Sequence, residues 1–117
     1  MRPDDPDAAR ISDMLEWAHT ARGLTRGLSV ATYASNQAVK LAVERCIELI
    51  GEAASHVSPQ FRSAHPDIEW RTIVAQRNIL AHGYAQVKDE RIWQVVTDDL
   101  PNLISQLEVL VFPLEEA

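Results

Sequence analysis

One cysteine, Cys46, is all that 117 residues contain. No disulfide can therefore close within the chain, and no four-cysteine or Cys/His zinc cage can be assembled from it. A reducing cytoplasm is the expected setting. Long uncharged apolar runs are missing as well: nowhere do about 18 such residues follow one another, so no membrane-spanning helix is expected. The opening Met1-Arg2-Pro3-Asp4-Asp5-Pro6-Asp7 is acidic and broken by proline. A secretory signal would be basic and then apolar, so none is read there. The chain also lacks a glycine-rich phosphate loop, a Gly-x-Ser-x-Gly elbow, an Asp-rich calcium loop and any His-Glu-x-x-His zinc pattern. The expectation is a protein without resident metal or cofactor.

Positive charge is scarce, with a formal net charge of -6, and a broad basic surface of the kind that drives phosphate-backbone binding is excluded. The distribution matters more than the total. Residues 1–17 hold two Arg against five carboxylates, and residues 92–117 hold five carboxylates with no Lys or Arg. The stretch 18–91 holds nine Lys/Arg against seven Asp/Glu. A local electropositive cleft in the middle of the chain remains open.

No run of alternating β-branched residues suggests a sheet, and the apolar spacing is helical almost throughout. The fold class is all-α. With 46% hydrophobic residues, a chain of this length builds one core, so a single domain over 1–117 is expected, with flexible tails at 1–7 and 113–117. Ile11, Met14, Leu15 and Ala18 give a first helix ending in the Gly23–Gly27 stretch, and Ser29 can cap a short turn after it. Val39, Val43, Cys46, Ile47, Ile50, Ala53, Ala54 and Val57 form one stripe from about Asn36 to Val57, roughly 33 Å of helix. Ser58-Pro59 starts a short turn. Trp70, Ile73, Val74, Arg77, Leu80 and Ala81 predict a third long helix up to Gly83. Asp89 is expected to cap a fourth, which Pro101 kinks or restarts. Four to five helices with short connections predict an up-and-down bundle, with Trp17, Trp70 and Trp93 on or beside its apolar stripes.

Arg77 is the anomaly in this pattern. A guanidinium in an apolar stripe is either paired or has its stem packed and its head in water. Asn78 and His82 lie four apart on one helical face, where the amide could orient the imidazole. Arg77 and His82 are about 140° apart on an ideal helix. Gly83 can end the helix in a left-handed conformation and let the two converge. An imidazole that titrates near neutral pH beside a fixed positive fork suits RNA cleavage by attack of the 2'-hydroxyl on the neighbouring phosphate, which needs no metal. His19, His56 and His65 have no such context and read as surface or capping residues.

The run Arg77-x4-His82-x-Tyr84 resembles the signature of HepT-like toxins in the HEPN superfamily. The resemblance extends over roughly residues 8–112 through Ala42–Ala54, His65–Arg71 and Asp98–Pro101, in the family's order. It implies a homodimeric helical bundle in which two Arg/His pairs meet in one interfacial cleft. It further implies a metal-independent endoribonuclease, the toxin of a bacterial type VII-like toxin–antitoxin pair, acting on transfer RNA or messenger RNA. The partner it implies is a minimal nucleotidyltransferase antitoxin, which uses ATP to silence the toxin by AMPylating the tyrosine at position 84. On this resemblance Arg77 and His82 are catalytic, and Asn78 holds the polar position after the arginine. Glu52 and Arg45, on the second long helix, either brace Arg77 or belong to an exposed charged face.

A dimer is also expected on chemical grounds. Phosphodiester transfer benefits from a base at the 2'-oxygen and an acid at the leaving 5'-oxygen, and each chain offers one histidine in the motif. Two other readings stand beside the ribonuclease. One is a non-catalytic helical dimer that binds a nucleotide or the partner nucleotidyltransferase through the same cleft; the other is a structural adaptor in which the motif stabilises an interface.

Overall fold

A computed structural model describes residues 5–82 and 87–116, with side chains through Val111. Gly83 and Tyr84 lie outside the described residues. Helix α1 (Pro6–Thr25) starts where Asp5 accepts the Asp7 N–H at 2.9 Å and Pro6 takes a first-turn position that needs no donor. Asp7 in turn accepts the Ser58 N–H at 2.8 Å and its hydroxyl at 2.7 Å. Residues 5–7, expected in a flexible tail, are thus fastened at both ends of that short link. Helix α1 ends at Thr25, inside the Gly23–Gly27 stretch as expected, and the chain turns at Gly27, whose φ of 80° is open to glycine without strain.

Helix α2 (Val30–Ala34) carries the cap expected at Ser29, completed by Thr32 into a capping box. Helix α3 (Gln37–Ser55) is capped by Asn36, and α4 (Pro59–Ala64) by Ser58, which receives the Phe61 N–H. Helix α5 spans Trp70–His82. Its start is fixed by the Trp70 indole, which donates to the His65 carbonyl at 2.9 Å, and by the Phe61 ring between His65 and Trp70.

Helix α6 (Asp89–Gln94) departs from expectation at its first turn. Lys88 stands at the cap without a side-chain bond, and Asp89 is already helical. Its carboxylate pairs with Lys40 at 3.1 Å, tying α6 to the start of α3. A π-helical turn (Val95–Asp99) follows, and α7 (Leu100–Glu116) continues from it. Pro101 has no N–H to give the Thr97 carbonyl, and the wider turn immediately before it lets the helix run on. Regular α-helix resumes at Leu100, beside Pro101, and the backbone stays helical to Glu116, within the segment expected as a C-terminal tail.

The long helices pack in the order α5, α3, α1, α7. Ile11, Met14, Val43, Ile50, Val96 and Leu107 fill the space between them and are at most 2% exposed. No strand occurs among the described residues, and the all-α up-and-down bundle stands as expected. Helix α5 is at one edge, with α3 as its main support, and Trp70 is its one buried residue.

Candidate functional site

The site is set by how closely α5 can approach α3. Ile73, Val74 and Leu80 turn towards the core, as their spacing predicts, and Arg77 lies on the same side. What it meets there is Gly51. A Cβ placed on Gly51 would overlap the Cβ of Arg77 and stand 3.0 Å from both its Cγ and the Ile73 carbonyl oxygen. Glycine therefore lets the arginine stem lie flat on the α3 backbone, and the guanidinium emerges at the edge of the crossing with its side chain 32% exposed.

Both sides of that guanidinium are held. Its Nη2 lies 2.8 Å from Glu52 Oε2, and its Nη1 donates to Asn78 Oδ1 at 2.9 Å. The second Glu52 oxygen is 3.1 Å from His56 Nε2. The hydrogen bond from His56 and the charge of Arg77 outweigh partial desolvation and hold the Glu52 carboxyl below its ordinary range. The four side chains form one chain of contacts, His56–Glu52–Arg77–Asn78, across the α3–α5 crossing.

The other expected residues fall differently. Asn78 is exposed and accepts from Arg77 with its oxygen, a contact that the i, i+4 spacing to His82 did not suggest. His82 is the last residue of α5, exposed and on the same face as Asn78. It keeps its helical place; the release attributed to Gly83 concerns residues outside the description. Arg45 turns away from the site. It pairs with Glu48 at 3.2 Å on its own helix and is 65% exposed, which makes it part of a solvated charged face.

Two members of the site were not singled out in the sequence. Gly51 had a signal, since a glycine inside a long apolar stripe costs about 1 kcal/mol against alanine and calls for a packing reason. His56 had a weaker one. It sits one turn after Glu52, a spacing that joins the two, and it also ends α3. His19, paired with Glu108 at 3.4 Å, and His65, at the end of α4, are the surface and capping residues expected.

Chemically, the crossing presents a preset positive fork on an exposed helix, with an imidazole farther along the same helix. A planar guanidinium held on one side by a carboxylate still has donors for a tetrahedral anion. No cluster of His, Cys, Asp or Glu suited to a metal ion occurs among the described residues.

Comparison with known proteins gives a consistent result. A family model described as "Ribonuclease HepT-like" matches residues 14–110. A Methanocaldococcus jannaschii chain that carries a provisional RNase name is 30% identical over 87% of this chain and 94% of its own length. "Probable ribonuclease HepT" of Thermococcus cleftensis is 30% identical over 86% of this chain and 91% of its own. A Caldanaerobacter subterraneus chain, again provisionally named an RNase, is 28% identical over 74% and 77%. No solved structure gives a significant match.

Proposed function

The chain belongs to the ribonuclease HepT-like family, and from that premise we propose that it is a metal-independent endoribonuclease, the toxin of a toxin–antitoxin pair, with its site completed by a second copy. The observation that carries this reading is Arg77, fixed by Glu52 and Asn78 on the exposed edge helix that ends in His82. In the proposed reaction the 2'-oxygen attacks the neighbouring phosphorus and the bond to the 5'-oxygen breaks. One imidazole takes the 2'-hydroxyl proton, and the second imidazole, from the other copy, protonates the departing oxygen. Arg77 neutralises the charge that grows on the phosphate oxygens.

The second copy has a physical basis in α5. Supported mainly by α3, this helix leaves Ile79 42% exposed. Beside it lies a cleft of about 330 Å³ walled by Ile79, Leu80, Val87 and Ile92. An apolar flank next to a polar site is what a two-fold contact covers while leaving the chemistry open.

Regulation belongs to the same proposal. A nucleotidyltransferase partner transfers AMP when the Tyr84 hydroxyl attacks the α-phosphate of ATP and pyrophosphate leaves. Tyr84 is two residues from His82, so the added phosphate brings negative charge to the place where RNA phosphate must sit. The test is cleavage of total RNA by protein purified without its partner and shown by intact mass to be unmodified. Discrete fragments are expected. His82→Ala should reduce cutting by at least about 10²-fold and abolish growth arrest, with the native assembly mass unchanged. Full toxicity of that variant would sink the reading, and intact RNA with the wild type would leave a non-catalytic binding module.

A further inference from the structure

A second cleft, of about 750 Å³, lies between α4 and α5 and reaches Asn78, the residue bonded to Arg77. Its polar lining comes from Ser55, Arg62, Ser63, Glu69, Arg71 and Asn78. In a chain of net charge -6, guanidiniums have ample carboxylates to pair with, and Arg45 and Arg77 do so. Arg62 and Arg71 form no ion pair among the described residues, although Glu69 borders the same cleft. Two arginines outside any ion pair among the described residues, against one carboxylate, therefore line one groove that ends at the site.

Helix geometry orders the groove. Arg71, Asn78 and His82 are spaced i, i+7 and i+11, so they share the outward ridge of α5. The ridge runs about 16 Å from Arg71 to His82 at 1.5 Å per residue. Arg62 lines the facing wall from α4, with Ser63 beside it. The one aromatic side chain of the lining, Trp70, is 8% exposed, and its indole N–H is already given to His65. The groove thus has charge and hydroxyls for phosphates but no open ring on which a base could stack.

We propose that the cleft between α4 and α5 is the track along which an RNA strand reaches the site, its flanking phosphates held by Arg62 and Arg71 without regard to base sequence. This rests on the ribonuclease reading for the identity of the polyanion. It places the binding of the strand in residues outside the Arg77–His82 motif.

The test uses the His82→Ala protein, which should not cut, and a fluorescein-labelled oligouridylate of about ten nucleotides, followed by anisotropy over a salt series. Each phosphate contact on a single strand contributes about 0.7 to the slope of log affinity against log salt. Adding Arg62→Ala and Arg71→Ala should lower that slope by about 1.4 and weaken binding about 25-fold at 0.1 M salt. Removing the same charge from α1 and its C-terminal cap, as Arg10→Ala with Arg26→Ala, should leave the slope in place. The Gln variants at 62 and 71 serve where the Ala variants lose thermal stability. A slope unchanged by the α4–α5 substitutions, or a loss no greater than that of the α1 control, overturns the track. Activity of the unmodified wild type separates the two readings. If it cuts RNA while binding ignores Arg62 and Arg71, the track falls alone. If it cuts nothing yet binding depends on both arginines, the ribonuclease reading falls and the track stands; no binding together with no cutting removes both.

Discussion

Arg77 meets two opposed demands. Its charge must be held still before substrate arrives, yet a partner that holds it too tightly would compete with the phosphate. The structure resolves this through exposure. With the Arg77 and Glu52 side chains 32% and 45% exposed, water screens the pair, and such a contact contributes at most about 1 kcal/mol. A phosphate with several charged oxygens can displace or share it. His56 takes the other Glu52 oxygen, which keeps the carboxylate oriented in either case. The direction of the Glu52 shift makes this testable. Its carboxyl is held below the ordinary value, first by the His56 hydrogen bond and then by the Arg77 charge, with desolvation opposing. An acid lowered in the folded state stabilises the fold above its unfolded value of about 4.3, and that gain disappears as pH falls through the lowered folded value. Glu52→Gln should therefore lower stability at neutral pH by up to about 1 kcal/mol. The gap to wild type should close as pH falls through that lowered folded value, below which the native carboxyl is itself neutral. Urea unfolding of both proteins across that range checks it, and a gap of constant size would place the effect elsewhere.

At the scale of the elements, the crossing of α3 and α5 depends on the absence of one methyl group. Gly51→Ala gains up to about 1 kcal/mol of helix propensity in isolation. Against this, the added Cβ would overlap the Arg77 stem and press on the Ile73 carbonyl, and overpacking of this kind costs typically about 1–3 kcal/mol. A net loss in the denaturation midpoint is expected, together with weakened RNA cleavage as α5 is pushed away from Glu52. A more stable variant would mean that the helices separate freely there. The same crossing shows what was legible in the sequence. The apolar stripe of α3, the caps at Ser29 and Ser58 and the run of α5 to His82 all follow from spacing and local chemistry, which act within a few residues. Asp89 was misread because its ion-pair partner, Lys40, lies on another helix, and a carboxylate before an apolar run looks the same in either role. The effect of Pro101 turned on whether a wider turn could absorb it. Arg77 stood out as a charge in an apolar stripe. The reason it can lie there is Gly51, and no spacing along the chain reveals which residue a helix face will meet. For Glu52, the motif resemblance suggested a link to Arg77 and packing supplied the contact. The same packing sent Arg45 to Glu48 instead.

At the scale of the whole molecule, Arg77, Asn78 and His82 are carried on an edge helix supported mainly by α3. An edge helix that buries only one residue against its own chain is a poor place for a site unless something else covers it. The proposed second copy does this, and it also supplies the second imidazole. If two histidines from two chains form a single cleft, a mixed dimer of wild type and His82→Ala lacks either the base or the acid and should be nearly inert. Activity after the two proteins are unfolded together and refolded should then follow the square of the wild-type fraction, falling to about a quarter in an equal mixture. If each chain held a complete site, half the activity would remain. The measurement needs equal stability of the two proteins, which is reasonable because His82 is an exposed residue at a helix end and contributes little to the core. A linear decline would return catalysis to the single chain, and the exposed flank of α5 at Ile79 would need another explanation.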